Sequence, residues 1–239
     1  MMGAHRIWTV VPVKRFAAAK LRLAPILNAD ERAELARIMF EDLLDTLKQC
    51  EDLVPEMIVV TSDSDAAALA RRRGMAVVAD EPECGINAAV THAIDTVRPA
   101  ADSGLMVIPS DIPQLSRNAI AQAAAAIEKS PSLALAEAAD DGGTNLFALR
   151  PIGAVPPLFG QDSFALHRGA ALQAGIPVQI LRIPELSMDI DRPENLKTFL
   201  ALGSRTRTHE FLSQIGVDER VAEYHDAVRR PLDQSVAEA

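Results

Sequence analysis

Seven side chains at three places in this sequence suit one kind of chemistry, the neutralisation of clustered negative charge. Lys14, Arg15, Lys20 and Arg22 place four cations within nine residues, directly after an apolar run that closes on Pro12 and Val13. Such a cluster suits a polyphosphate, and a solvated basic loop has the same composition. Asp111 lies in Pro109-Ser110-Asp111-Ile112-Pro113, just past another apolar run. An Asp there can bind a divalent ion or serve as a turn residue ahead of a helix signalled at Ser116. Asp189 and Asp191, in Met188-Asp189-Ile190-Asp191-Arg192-Pro193, share one face if the stretch is extended. They could then clamp one ion or two adjacent ones; the other reading is helix entry, with Pro193 in the first turn. Together the three carboxylates form the all-oxygen set that Mg²⁺ prefers. Three such residues at strand ends are harder to attribute to capping than any one alone.

Two further segments could hold an oxyanion. Gly142-Gly143-Thr144-Asn145 offers backbone N–H groups and a hydroxyl, although a plain hairpin turn would use the same residues. Phe159-Gly160-Gln161-Asp162-Ser163 leads into a helical segment whose N-terminus could receive a phosphate, with Ser163 as an N-cap in the simpler reading. His167 falls four residues on, on the same helix face, and reads as an exposed helical histidine. No Ser/His/Asp, Cys/His or HExxH arrangement is present. There is no GxGxxG after the first apolar run and no GxxxxGK[ST] anywhere, which disfavours a Rossmann dinucleotide site and a P-loop NTPase.

The elements that would position these groups follow from hydrophobic patterning. Short apolar runs at Ile7–Val13, Met57–Thr61, Ala76–Ala79, Leu105–Pro109, Leu133–Ala138, Leu146–Leu149 and Val178–Ile183 predict buried strands. Helical spacing predicts helices over Asp30–Gln49, with Asp30 as N-cap, and over Asp63–Arg73, Ile86–Val97 and Ser116–Lys129. Strand and helix alternate through residues 6–129, which implies an α/β fold with a mostly parallel, doubly wound sheet. The Asp140-Asp141-Gly142-Gly143 turn predicts a small antiparallel insertion. In such sheets ligands bind beyond the carboxyl ends of the strands, where the charged residues above fall. Residues 1–203 read as the main domain and 204–239 as a helical C-terminal appendage; its Tyr224 and Val228 stripe could cap that domain or meet a second subunit, and a homodimer is expected.

The 239 residues carry a net charge of −9, which argues against non-specific nucleic-acid binding. No apolar run approaches the roughly 20 residues of a membrane span, and the N-terminus lacks a signal-peptide pattern. A cytoplasmic protein without membrane partners is expected, with Cys50 and Cys84 as free thiols.

The ordered set Val11-Pro12-Val13-Lys14, Lys20-Leu21-Arg22-Leu23, Gly85-Ile86-Asn87, Pro109-Ser110-Asp111-Ile112-Pro113, Gly142-Gly143-Thr144-Asn145, Phe159-Gly160 with Ser163, and Asp189-Ile190-Asp191 resembles the CofC/FbiD guanylyltransferases over about residues 5–202. The resemblance implies a Rossmann-like sheet of the nucleotide-diphospho-sugar transferase type. It also implies transfer of GMP from GTP to a small phosphorylated carboxylic acid (2-phospho-L-lactate, phosphoenolpyruvate or 3-phospho-D-glycerate), in coenzyme F-420 biosynthesis. By the same resemblance Pro12, Val13, Lys14, Lys20 and Arg22 would bind the GTP phosphates, and Gly85 and Asn87 would line the nucleoside pocket. Asp111, Asp189 and Asp191 would hold Mg²⁺, and Thr144, Gly160 and Ser163 the acceptor. Lys14, Lys20 and Asp111 would act in catalysis. Leu21 stands where the family usually has Ser, Ile86 where it usually has Leu, and the chain after residue 203 exceeds the family's expected length. The chemistry agrees with the residues: a phosphate acceptor is already ionised at pH 7, so no strong general base is needed, while charge neutralisation is. A molybdenum-cofactor-type or sugar-phosphate nucleotidylyltransferase is the alternative on the same fold. A non-catalytic nucleotide-binding module is the alternative of another class.

Overall fold

The computed structural model describes residues 6–80 and 85–233, the side chains of 228–233 excepted. Within Ile7–Val13 (β1), Ile7, Val11 and Val13 turn to one core and Trp8 and Val10 to the other. Burial on both faces marks a central strand of a parallel sheet. After β1 come α1 (Ala29–Lys48), β2 (Glu56–Thr61), α2 (Ser64–Arg72), β3 (Ala76–Ala79), α3 (Gly85–Val97), β4 (Gly104–Val107), α4 (Arg117–Ala126), β5 (Ser132–Glu137) and β6 (Thr144–Arg150). The chain continues through α5 (Ser163–Gln173), β7 (Val178–Ile180), α6 (Pro184–Ser187), α7 (Pro193–Ala201), α8 (Arg207–Gln214) and α9 (Val217–Asp233). Two short 3-10 turns, Phe16–Ala18 and Leu21–Leu23, lie between β1 and α1.

The strands form one sheet in the order β3-β2-β1-β4-β6-β5-β7. Only β6 runs against the rest, antiparallel to β4 and β5. This is the expected mostly parallel α/β sheet with a small antiparallel part. From β1 the chain steps outward to β2 and β3, then returns to set β4 on the other side of β1. That reversal opens a crevice beyond the carboxyl ends of β1 and β4. The basic segment leaves β1 at this point, and Asp111 follows β4.

One face of the sheet is covered by α1, α2 and α4, through Phe40, Leu44, Leu69 and Ile120. The other is covered by α3 and α5, through Val90, Phe164 and Ala171. A third cluster joins the outer side of α1 (Leu35, Met39) to Phe199 of α7, Leu212 of α8 and Val217 and Val221 of α9. The segment after residue 203 therefore packs on α1 and α7. Asp42 of α1 fastens α8, accepting from the Thr208 N–H at 3.0 Å and its hydroxyl at 2.7 Å. Tyr224 packs against the same cluster, while the Val228 side chain lies outside the described residues.

Asn28, and not the expected Asp30, caps α1. Its side chain accepts the Glu31 N–H at 3.0 Å, and the Glu31 carboxylate accepts the Asn28 N–H at 2.9 Å. This reciprocal capping box satisfies two orphan donors, where a lone Asp satisfies one. Asp30 takes a first-turn place favoured by the helix dipole. Cys50 is a buried free thiol whose Sγ donates to the Thr46 carbonyl at 3.2 Å; Cys84 lies outside the described residues. Among the described residues no helix is long and apolar enough to cross a membrane.

Leu212 is fully buried in the third cluster. Leu212→Ala is expected to destabilise the whole chain by about 2–5 kcal/mol in urea unfolding. A single cooperative transition shifted to lower urea supports a docked α8–α9; an unchanged main transition would show that the two helices fold apart from the sheet.

Candidate active site

Lys20 has left-handed backbone geometry (φ 56°), which residues other than glycine adopt mainly at constrained sites. The turn carries its side chain inward, to 6% exposure, and sets its ammonium 2.7 Å from Asp111 Oδ2 and 3.7 Å from Asp191 Oδ1. Arg22 stays nearer the surface and donates to Asp191 Oδ2 at 2.7 Å. The Ile190 N–H donates to the Asp111 carbonyl at 3.2 Å, which stitches the 188–191 segment to the exit of β4. Ile190 is buried in the third cluster, between two carboxylates that both face the Lys20 ammonium's surroundings.

Asp189 Oδ1 accepts from Asn145 Nδ2 at 3.2 Å. Burial, and then the negative charge of Asp111, push the Asp189 carboxyl above its ordinary pKa, against the opposing pull of Asn145 and Lys20. Asp111 Oδ1 is buried with no hydrogen-bond partner. An orphaned carboxylate oxygen beside a second carboxylate is an arrangement a divalent cation relieves. Among the described residues no three His, Cys, Asp or Glu side chains gather closely enough to hold a metal ion unaided. Mg²⁺ is commonly held by one or two carboxylates with substrate phosphates and water completing its shell, so the donor set fits that ion in company with a nucleotide.

The basic loop is anchored by a residue that sequence reasoning passed over. Asp63 caps α2 with Oδ1, accepting from the Asp65 and Ala66 N–H groups at 2.9 and 3.0 Å. Its Oδ2 takes the Phe16 N–H at 3.0 Å and so ties the loop to the end of β2. Lys14 and Arg15 are exposed, and neither has an ion-pair partner among the described residues. Asn195 was likewise unmarked. Its Oδ1 accepts the Asp191 and Arg192 N–H groups at 3.2 and 2.7 Å, and its amide donates to Asp140. The usable signal was an amide side chain in the first turn after Pro193.

A second cluster forms around α5. The Thr144 hydroxyl lies 3.0 Å from Ser163 Oγ and 3.1 Å from His167 Nδ1, and His167 Nε2 accepts the Leu158 N–H at 2.8 Å. His167 is not an exposed helical histidine: it is fully buried, with the Phe147 and Phe159 rings at 4.7 and 5.0 Å. Ser163 is not the N-cap either. Asp162 holds that position in left-handed geometry without a side-chain cap, which frees Ser163 for the hydroxyl chain. The Phe164 N–H donates to the Gly142 carbonyl at 3.0 Å, and Gly143 N–H is taken by Asp141 Oδ1 at 2.9 Å. Gly160, at φ 137°, makes the bend before α5. Asn87, on α3 two residues after Gly85, exchanges hydrogen bonds with the Phe159 backbone at 2.7 and 3.0 Å.

The structure thus brings Lys20, Arg22, Asp111, Asp189 and Asp191 into one group and Thr144 and Ser163 into another, beside Gly160. Asn87 joins the second group through its bond to Phe159, whereas Lys14 meets none of the acidic residues. Pro12 and Val13 end β1.

A mostly parallel α/β sheet of this order, with charged groups gathered at its switch point, has the architecture in which ligands bind beyond the strand ends. The chain matches the family described as "Guanylyl transferase CofC like" over residues 7–231 and belongs to it; it is a guanylyltransferase, a member of the nucleotidyltransferases. The match takes in α8 and most of α9, so the chain after residue 203 does not lie beyond the family as expected. The chain is 36% identical to a phosphoenolpyruvate guanylyltransferase of Sphaerobacter thermophilus, over 79% of this chain and 89% of that one. It is 30% identical to a 2-phospho-L-lactate guanylyltransferase of Methanothermobacter thermautotrophicus, over 86% and 89%. Solved structures share the fold at low identity. A chain from Desulfovibrio desulfuricans, assigned as a nucleotide-diphospho-sugar transferase, has TM-score 0.69 and 17% identity, covering 92% of this chain and 98% of its own. A Methanothermobacter nucleotidyl transferase has TM-score 0.55 and 18% identity, covering 87% and 99%.

Burial lowers the His167 pKa from its ordinary 6.5 to about 4. The unfolded chain then takes up a proton that the folded chain refuses as pH falls from about 6.5 to about 4, so His167 removes stability across that window. The loss approaches about 1.4 kcal/mol per pH unit and totals about 3 kcal/mol. Unfolding free energies of the wild type and His167→Asn, measured from pH 7.5 to 4, are expected to converge by that amount. Parallel curves would mean that the imidazole titrates normally in the folded state.

Proposed function

We propose that this enzyme transfers GMP from GTP to a small phosphorylated carboxylic acid, releasing pyrophosphate, as a step in making coenzyme F-420. The acceptor is phosphoenolpyruvate, 2-phospho-L-lactate or 3-phospho-D-glycerate; the curated relatives named for the first two support that class. The observation that carries the reading is the Lys20 ammonium between Asp111 and Asp191, at 2.7 and 3.7 Å, on the switch-point crevice. It gathers onto one spot the cation and carboxylates that a triphosphate and its counter-ion require.

An oxygen of the acceptor phosphate attacks the α-phosphorus of GTP, the bond to the β-phosphate oxygen breaks, and pyrophosphate leaves. The attacking phosphate is a dianion and the acceptor carries a carboxylate besides, so its approach is opposed by the triphosphate's charge. Lys14 and Lys20 reduce that opposition, with Arg22 held near by Asp191 and Pro12 and Val13 forming the floor. Gly85 and Asn87 border the nucleoside. Thr144, Gly160 and Ser163 hold the acceptor. Asp111, Asp189 and Asp191 would hold Mg²⁺, which when bound supplies charge neutralisation at the phosphates. No histidine is needed as base, and the neutral, buried His167 suits that. GTP and the phosphorylated acid meet in the cytoplasm on this reading.

Purified protein with Mg²⁺ is expected to release pyrophosphate from GTP with one of the three acids and from no other nucleoside triphosphate. Silence with all three acids, from protein that still binds GTP, would move the assignment to another acceptor. Asp189→Asn separates function from folding, because the carboxylate it neutralises is already disfavoured by burial and by Asp111. Turnover is expected to fall about 10²–10³-fold while the melting temperature holds or rises. Retained turnover would remove Asp189 from the metal set.

A further inference from the structure

His167 lies among residues assigned to the acceptor but is itself unassigned, and its surroundings fix more than its position. Its Nε2 accepts the Leu158 N–H at 2.8 Å. A backbone amide can only donate, so Nε2 carries no proton and a neutral ring must carry it on Nδ1. Nδ1 therefore donates to Thr144 Oγ1 at 3.1 Å. Thr144 Oγ1 could still accept from Ser163, but with Nδ1 a donor, Ser163 Oγ is the one acceptor left within reach of the Thr144 proton among the described residues, so that proton runs along the 3.0 Å contact. The Ser163 proton is left over. Ser163 is 1% exposed, and among the described residues its hydroxyl has no acceptor of its own. A buried donor left unused is costly, and this one is held on the first residue of α5, where an anion is already favoured by the helix dipole.

We infer that His167 is a positioning residue for the phosphorylated acceptor: by fixing the direction of the Thr144–Ser163 hydroxyl chain, it keeps the Ser163 proton available to an anionic oxygen of that substrate. The reverse ring tautomer would set an N–H against the Leu158 N–H, and the chain could then run the other way, with Ser163 donating inward to Thr144. The histidine thus acts through polarity, without touching the substrate. Its second effect is to hold Leu158 beside Phe159, which Asn87 fastens from α3. The inference rests on the reaction proposed above.

Pyrophosphate release at varied GTP and varied acceptor tests it in the wild type, His167→Asn, Ser163→Ala and the double variant. His167→Asn loses the acceptor for Leu158 and with it the fixed polarity. Its KM for the phosphorylated acid is expected to rise about 10- to 100-fold, the effect of one hydrogen bond to a charged group, with KM for GTP within about 3-fold of wild type. The double variant is expected to be no worse than Ser163→Ala, because the histidine works through that hydroxyl. Long-range ¹H–¹⁵N correlation of the ring in wild type is expected to report Nδ1–H. An active wild type combined with an unchanged acceptor KM in folded His167→Asn, multiplicative effects in the double variant, or an Nε2–H ring overturns the inference alone. A wild type silent with every acid overturns the reaction and this inference together.

Discussion

Lys20 holds the site together through a contact that stability alone does not account for. An ammonium at 6% exposure, 2.7 Å from Asp111 and 3.7 Å from Asp191, has given up most of its hydration. Buried ion pairs recover that cost only in part. Beside it Asp189 is pressed toward its neutral form and one oxygen of Asp111 goes unbonded. A core built for stability would replace such a group with apolar side chains. On the function proposed above, the group is retained for what it would bind: the Lys20 charge holds Asp111 and Asp191 close, with Asp189 repelled by Asp111 beside them, where a polyanion and its counter-ion would enter.

Much of the scaffold can be read as support for that contact. The left-handed Lys20 needs both flanking turns, and the first of these is pinned to β2 by Asp63. Ile190 needs the third cluster to turn it inward, and that cluster depends on α7, α8 and α9 packing over the outer side of α1. The C-terminal helices are thus joined mechanically to the carboxylates through Ile190 and through Asn195 of α7, which holds the Asp191 backbone, although they lie off the sheet.

The strands and the switch point were legible in the sequence because buried β-branched runs and the helices between them repeat so regularly through residues 6–129. The charged groups were legible because they fall directly after those runs. Asn28 shows where reading failed: two polar residues competed for one cap, and the deciding factor was a reciprocal bond to Glu31. His167 failed differently. A histidine on a short helix has no local pattern that reveals burial, which here comes from Phe147, twenty residues earlier in the chain, and from a loop held by Asn87. Asp63 and Asn195 act on backbone groups of distant or irregular segments, a role that periodicity does not report.

Strand β6 shows how the two halves of the site are kept in register. The β5–β6 register shifts here, Ala136 pairing with Leu146 and Glu137 with Thr144, so Asn145 is the extra residue of a bulge and the alternation of Leu146–Leu149 is broken ahead of it. Thr144 enters the hydroxyl chain to Ser163 and His167 under α5, while Asn145 reaches Asp189 on the other side. Because β6 is antiparallel, its first residues lie at the edge where its neighbours end, which puts both side chains on the crevice. Pairing of Phe147–Leu149 to β4, and of β6 to β5 on either side of the bulge, holds the segment in place. The antiparallel strand therefore joins the Lys20–carboxylate group, through Asn145, to the Thr144–Ser163 hydroxyl pair.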